Sequence, residues 1–154
     1  MRAIVVALAT VGGVGYSPIA PGTLGSVVAL PLVGWLAELW AVSSLAYGGA
    51  VVGVIAIAVW SAGRADAVFG EHDSGKIVID EVAGMVVVGM FLPPGGWALA
   101  VGFAAFRLFD IWKPYPASYF DRDVAGGLGV VADDLIAGAY AGLATRVGFG
   151  LLGA

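Results

Sequence analysis

Cysteine is absent from this 154-residue chain, and charged residues are scarce. Without cysteine the protein has no disulfide framework, no thiol nucleophile and no cysteine-based zinc or iron–sulfur site. Only 12% of the residues are charged, whereas soluble domains average about 25%. A water-soluble protein of this size needs a polar shell, because much of its surface faces solvent. The sequence has too few charges to build that shell, and its net charge of -4 excludes a basic nucleic-acid-binding surface.

In place of charge the chain has long apolar runs. Hydrophobic residues make up 60% of it, and its mean hydropathy is +0.98. Glu38 is the only charged residue between Arg2 and Arg64, and none occurs from Val82 to Phe106. A membrane span needs about 20 apolar residues, so the first interval has room for two or three passes and the second for one pass or a broken pair. Unpaired backbone groups are costly in lipid, so we predict that every long segment is helical.

This pattern predicts an all-α, polytopic membrane helical bundle that forms a single domain over residues 1–154. We expect a short N-terminal interfacial helix and about four long helices, five in all. Residues 3–14 resemble a signal peptide, but the following segment lacks a small-residue cleavage pattern, so we expect this end to be retained. Gly138 and Gly142 have the spacing that lets membrane helices approach closely, which would also permit a homo-oligomer. The predicted helix bounds are about 23 or 26 to 40, with Thr23 or Ser26 as the cap, then 45–69, 77–91, 97–113 and 130–152.

The few charges gather in three clusters that adjoin the apolar runs. An unpaired carboxylate is expensive in such a place, so we expect a compensating cation. Magnesium fits this role, because it prefers carboxylate oxygens and binds beside substrate phosphates. The alternative is that these acids lie in solvated loops and pair with nearby Arg and Lys. Arg107, Asp110 and Lys113 repeat every three residues along one helix face, and this plus-minus-plus ridge suits a phosphate and a cation together. The clustered residues are Asp80, Glu81, Arg107, Asp110, Lys113, Asp121, Arg122, Asp123, Asp133 and Asp134.

Two further features of the sequence carry weaker signals. His72 stands alone in a polar loop, and we expect it to be exposed rather than a metal ligand. Trp112 and Tyr115 lie near a predicted helix end, as interfacial anchors do.

Four blocks of the sequence, in order, resemble the phosphatidylglycerophosphatase A family, and together they cover nearly the whole chain. The first runs from Ser17 to Ser26 (SPIAPGTLGS) and the second from His72 to Glu81 (HDSGKIVIDE). The third is Phe106–Pro114 (FRLFDIWKP), and the last, residues 119–138, contains Gly-Gly-Leu-Gly and a double aspartate.

The resemblance implies hydrolysis of phosphatidylglycerophosphate, an anionic phospholipid, to phosphatidylglycerol and phosphate. It also implies a magnesium requirement and a multi-pass protein of the bacterial inner membrane whose active site faces the cytoplasm. The seven basic residues do not by themselves fix that orientation.

The candidate site residues follow from the charge clusters and from these blocks. We predict one or two magnesium ions held by Asp80, Glu81, Asp110, Asp133 and Asp134, with Asp133 as an outer or alternate ligand. The predicted catalytic residues are Asp80, Glu81, Asp110 and Asp134. The predicted substrate-binding residues are Thr23, Ser26, Arg107 and Lys113. Water and an aspartyl-phosphate on Asp80 or Asp110 are both chemically allowed as routes.

Other functions fit the sequence less well. The spaced-aspartate signature of CDP-alcohol transferases is absent, and so are the Lys, Arg and His blocks of acid-phosphatase-like lipid phosphatases. A small carboxylate-lined ion carrier would place its acids in the middle of the membrane, whereas we expect these acids near helix ends.

Overall fold

The computed structural model describes residues 1–71, 73–93 and 95–153, and within these ranges it contains seven α-helices, one 3₁₀ turn and no strand. The all-helical prediction is therefore confirmed, whereas the predicted count of five helices is wrong. His72, which we expected to be exposed, lies outside the described residues. The helices are α1 (Arg2–Ala9), α2 (Pro21–Val42), α3 (Ser44–Phe69), α4 (Ile79–Phe91), α5 (Gly96–Trp112), α6 (Ala117–Asp123) and α7 (Gly127–Leu152), with the 3₁₀ turn at Val14–Tyr16.

Within the described part of the chain, three helices are long and apolar enough to cross a membrane. They are α2, α3 and α7, with 22, 26 and 26 residues and mean hydropathies of 1.6, 1.9 and 1.4. Helix α4 has only 13 residues, so it is about 20 Å long, less than the roughly 30 Å hydrocarbon core. The prediction of about four long helices is not confirmed, because α4 begins only at Ile79 and ends before Pro93.

The predicted N-terminal cap of α2 is wrong. The helix begins at Pro21, with Ala20 as the N-cap residue, because proline is favoured in the first turn, where no backbone donor is needed. Thr23 lies inside that turn. Ser26 lies deeper still, and its hydroxyl donates to the Gly22 carbonyl at 2.9 Å.

The segment between the predicted helices 97–113 and 130–152 also differs from our expectation. It contains α6, and α7 already begins at Gly127. Asp133 and Asp134 therefore lie almost two turns inside α7 rather than at its start. The structure corrects our expectation that all the clustered acids stand at helix ends.

Helix α4 forms the centre of the bundle, with α2, α3, α5 and α7 packed around it. Association in lipid depends on close van der Waals packing rather than on the hydrophobic effect, and glycines make that packing possible. A Cβ on Gly138 would lie 2.3 Å from the Gly84 carbonyl oxygen, and one on Gly142 would lie 2.9 Å from the Phe91 Cβ. This spacing, noted in the sequence, thus joins α7 to α4 within one chain.

A second close approach joins α7 to α3. A Cβ on Gly127 would lie 1.9 Å from the Val59 carbonyl oxygen and 2.6 Å from the Gly63 nitrogen. Since both are backbone atoms, neither can rotate away. We expect Gly127→Ala to lower the free energy of unfolding by roughly 1–3 kcal/mol, the usual cost of overpacking.

Thermal unfolding in detergent tests this effect. Gly148→Ala is the matched control, because it lies in the same helix and a Cβ there meets nothing within 4 Å. Equal melting temperatures for the two variants would contradict the predicted packing of α3 against α7.

Candidate active site

The start of α4 is held in place by the segment that precedes it. The Val78 N–H donates to the Ala9 carbonyl at the end of α1, at 2.9 Å. Gly25 of α2 packs against the Val78 side chain, where a Cβ would come within 2.9 Å. These contacts fix the first turn of α4, which carries Asp80 and Glu81.

Three carboxylates converge beside this turn, and we call them the acidic cluster: Asp80, Glu81 and Asp134. One carboxylate oxygen from each lies within 4.8 Å of the other two. Asp80 and Asp134 are 7% and 3% exposed. Burial raises the pKa of Asp80 well above its ordinary value, and the neighbouring Glu81 carboxylate raises that pKa further. So much negative charge in a buried place calls for a cation.

The donors of the acidic cluster fit a hard divalent cation. All of them are carboxylate oxygens, the ligand type that magnesium prefers. The Glu81 Oε2 atom is buried and has no hydrogen-bond partner within the described residues, so it retains a free acceptor. The cluster could therefore hold a metal ion, and its chemistry alone does not identify the metal.

Arg107 and Asp110 of α5 border the acidic cluster. The Arg107 Nη1 atom lies 2.6 Å from Asp110 Oδ2 and 3.9 Å from Glu81 Oε1, and it donates to the Ser26 hydroxyl at 3.5 Å. Asp110 lies within interaction distance of both Glu81 and Asp134. Four of the predicted metal ligands are thus close together, and a guanidinium stands at their edge.

The N-terminus of α2 closes another side of the acidic cluster. A Cβ on Gly22 would lie 2.0 Å from Glu81 Oε1 and 3.4 Å from Arg107 Nη1. The helix therefore brings its first backbone N–H groups, which have no partner within the helix, close to the carboxylates. Thr23 stands beside Gly22 in the same turn and is half-buried.

Asp133 and Lys113 belong to a separate group. The Lys113 ammonium donates to Asp133 Oδ2 at 2.7 Å and also to Asp121 of α6, and we call these three residues the lysine cluster. Burial lowers the pKa of Lys113, but the bonds to Asp121 and Asp133 outweigh it and raise that pKa above its ordinary value. Asp133 points away from the acidic cluster because adjacent helical residues are about 100° apart.

The predicted ridge on α5 is split between these two groups. Arg107 and Asp110 pair with each other beside the acidic cluster, whereas Lys113 leaves the helix at its C-cap and turns to α6 and α7. Two contacts of the site were not predicted from the sequence: the contact of Gly22 with Glu81, and the bond from Lys113 to Asp121. The glycine in Pro-Gly-Thr was a usable signal for the first. No local pattern indicated the second.

Comparison with known proteins identifies the family of the chain. The family model described as Phosphatidylglycerophosphatase A matches residues 7–149. Phosphatidylglycerophosphatase A of Escherichia coli is 43% identical over 128 residues, which is 82% of this chain and 72% of that protein. The Haemophilus influenzae protein of the same name is 37% identical over 123 residues, 79% of this chain and 74% of that protein.

One relative has a different name. The putative phosphatidylinositol-3-phosphatase of Bacteroides thetaiotaomicron is 33% identical over 138 residues, 83% of this chain and 82% of that protein. No solved structure matches the chain. Its membrane-compatible helices and bacterial relatives indicate a bacterial membrane protein. The extent of the family match and the identity to curated members show that the chain belongs to the phosphatidylglycerophosphatase A family and is a phospholipid phosphatase.

Proposed function

We propose that the protein hydrolyses phosphatidylglycerophosphate to phosphatidylglycerol and inorganic phosphate, with magnesium as its cofactor. Water supplies the new oxygen on phosphorus, the bond from phosphorus to the glycerol oxygen breaks, and that oxygen leaves as a hydroxyl. The observation that carries the proposal is the convergence of the acidic cluster, the Arg107 guanidinium and the N-terminus of α2.

In this arrangement the carboxylates bind the metal ion and the cationic groups bind the phosphate. Asp80, Glu81 and Asp134 hold the cation, and Asp110 completes the set. Magnesium, when bound, supplies a Lewis acid that polarises phosphoryl oxygens and offsets their charge.

The phosphate itself is bound by the cationic edge of the site. Arg107 has a buried Nε atom without a hydrogen-bond partner in the described part of the chain, so it keeps a donor for a phosphate oxygen. The first backbone amides of α2, together with Thr23 and Ser26, add dipoles that favour an anion. Lys113 as a direct phosphate ligand stays a prediction, since two carboxylates already hold it.

The distribution of basic residues supports a cytoplasmic active site. The acidic cluster lies at the end of the bundle where α3 and α5 finish and where α2, α4 and α7 begin. Six of the seven basic residues belong to this end, and only Arg146 lies towards the other, where it donates to the Phe91 carbonyl. Loops rich in Lys and Arg stay in the cytoplasm. The six are Arg2, Arg64, Lys76, Arg107, Lys113 and Arg122.

A second candidate substrate is another phospholipid that carries a phosphate monoester. The observation in its favour is the relative named a putative phosphatidylinositol-3-phosphatase. Phosphatidylinositol 3-phosphate and phosphatidylglycerophosphate present the same phosphate group on different alcohols. The acidic cluster and Arg107 would serve either one, so selectivity depends on how the alcohol is bound.

Phosphate release by the purified protein in detergent micelles tests metal and substrate together. We expect release from phosphatidylglycerophosphate with magnesium, and its loss with excess chelator, because carboxylates alone cannot offset the charge of the transferring phosphoryl group. Phosphatidylinositol 3-phosphate and phosphatidic acid are the comparison lipids. Faster release from phosphatidylinositol 3-phosphate would establish the second candidate. No release from any lipid by folded protein would contradict both.

A further inference from the structure

The lysine cluster ties three helices together through one ammonium group. Lys113 follows the last residue of α5, Asp121 lies on α6 and Asp133 lies on α7. The Asp133 side chain is only 7% exposed, whereas that of Asp121 is 27% exposed. The ammonium therefore links a buried acid of the bundle to an acid nearer its surface.

The backbone at Lys113 has little freedom to move. Its φ and ψ are 47° and 59°, in the left-handed region, where a residue other than glycine is held only by its surroundings. Its N–H donates to the Phe109 carbonyl at 2.7 Å, which ties the turn to α5. From this fixed turn the Lys113 side chain extends to Asp133, and its ammonium group also contacts Asp121.

The Asp133 side chain is held in place by its hydrogen bond with Lys113. Its Oδ2 atom accepts from Lys113 at 2.7 Å, while its Oδ1 atom is buried with no partner within the described residues. The next residue along α7 is Asp134, whose carboxylate belongs to the acidic cluster. Because the two side chains are fixed about 100° apart on one rigid helix, the bond at Asp133 also limits the rotation of α7 that aims Asp134.

We propose that Asp121 is a positioning residue, which holds Lys113 against Asp133 and so fixes the rotation of α7 that presents Asp134 to Asp80 and Glu81. This inference rests on the proposed cation site in the acidic cluster. Asp121 itself touches neither the cluster nor, in this proposal, the phosphate. Its effect passes through Lys113 alone.

Cation affinity is the direct readout of this role. We expect Asp121→Asn to weaken binding of magnesium, measured calorimetrically without substrate, by about tenfold, the low end for residues that orient metal ligands. Asp121→Glu should recover most of the affinity, since it restores a carboxylate. The matched control is Asp123→Asn, which removes an exposed acid from the same short helix.

A double-mutant cycle tests the route through the lysine. Lys113→Gln should weaken magnesium binding as well, and adding Asp121→Asn should then cause no further loss. If Lys113→Gln does not fold, Asp133→Asn provides a second background in which Asp121→Asn is also expected to be silent. A further loss in either background would overturn the proposal.

The positioning role of Asp121 and the proposed cation site can fail independently of each other. If wild-type protein binds magnesium and turns over substrate while Asp121→Asn binds magnesium equally well, only the positioning role falls. A lower melting temperature for metal-free Asp121→Asn with unchanged magnesium affinity would show a structural role only, and would also overturn it. If Asp134→Asn binds magnesium as tightly as the wild type, the proposed cation site fails instead.

Discussion

Replacing Asp134 with Asn should abolish phosphate release while the protein still folds and inserts into membranes. The change removes a negative charge from the acidic cluster but keeps the shape of the side chain. We expect turnover to fall by roughly a thousandfold or more, on the order of the loss when an electrostatic catalytic group is removed. Phosphate release at saturating lipid and magnesium measures the effect. Asp80→Asn and Asp110→Asn should behave similarly.

The control for this substitution is Glu38→Gln. Glu38 is an exposed acid towards the far end of α2, so the same change from carboxylate to amide there should leave turnover unchanged. Thermal unfolding of both variants separates loss of function from loss of fold. Substantial activity in folded Asp134→Asn would remove Asp134 from the proposed cation site.

Gly22→Ala should reduce activity strongly and stability little. The added Cβ would lie 2.0 Å from Glu81 Oε1 and 3.1 Å from its Cδ, so the Glu81 carboxylate must move. Because the carboxylate is the end of a flexible side chain, it can swing aside and make room for the methyl group. The carboxylate would then leave its place in the acidic cluster. We expect a loss of activity of about a hundredfold, the low end for a misplaced catalytic group, and a weaker apparent affinity for magnesium.

Gly34→Ala is the matched control for this second prediction. It lies in the same helix α2, and a Cβ there meets nothing within 4 Å. Since alanine is the better helix former, this variant should be active and at least as stable as the wild type. Full activity in Gly22→Ala at ordinary magnesium concentrations would contradict the contact between α2 and Glu81.

The two glycine predictions separate packing from chemistry. At Gly127 the atoms nearest to the added methyl are backbone atoms of α3, and at Gly22 the nearest atom is the Oε1 of Glu81, a proposed metal ligand. The first change should therefore lower the melting temperature, and the second should lower turnover. The combined outcome tests both the helix packing and the placement of the site.

The local sequence pattern was sufficient to predict a helix where apolar residues dominated a segment. The charge-free intervals predicted helices, and α3 extends over Ser44–Phe69, close to the predicted 45–69. The sequence pattern predicted helix bounds less well where turn-forming residues lie in or beside a helix. Pro21 starts α2 in spite of the loop-like Ser-Pro-Ile-Ala-Pro run, and seven residues between Pro116 and Val124 form α6 although the block is rich in polar and turn-forming residues.

The sequence by itself determined the helical, membrane-compatible character of the chain, its family and which carboxylates are candidates for the site, because scarcity of charge and ordered motifs are properties of the chain alone. Only the tertiary structure decided how those carboxylates divide. It brings Asp134 to Asp80 and Glu81 but gives the neighbouring Asp133 to Lys113. The reason is geometric: adjacent residues on a helix face different neighbours, and which neighbours they meet depends on how distant helices pack.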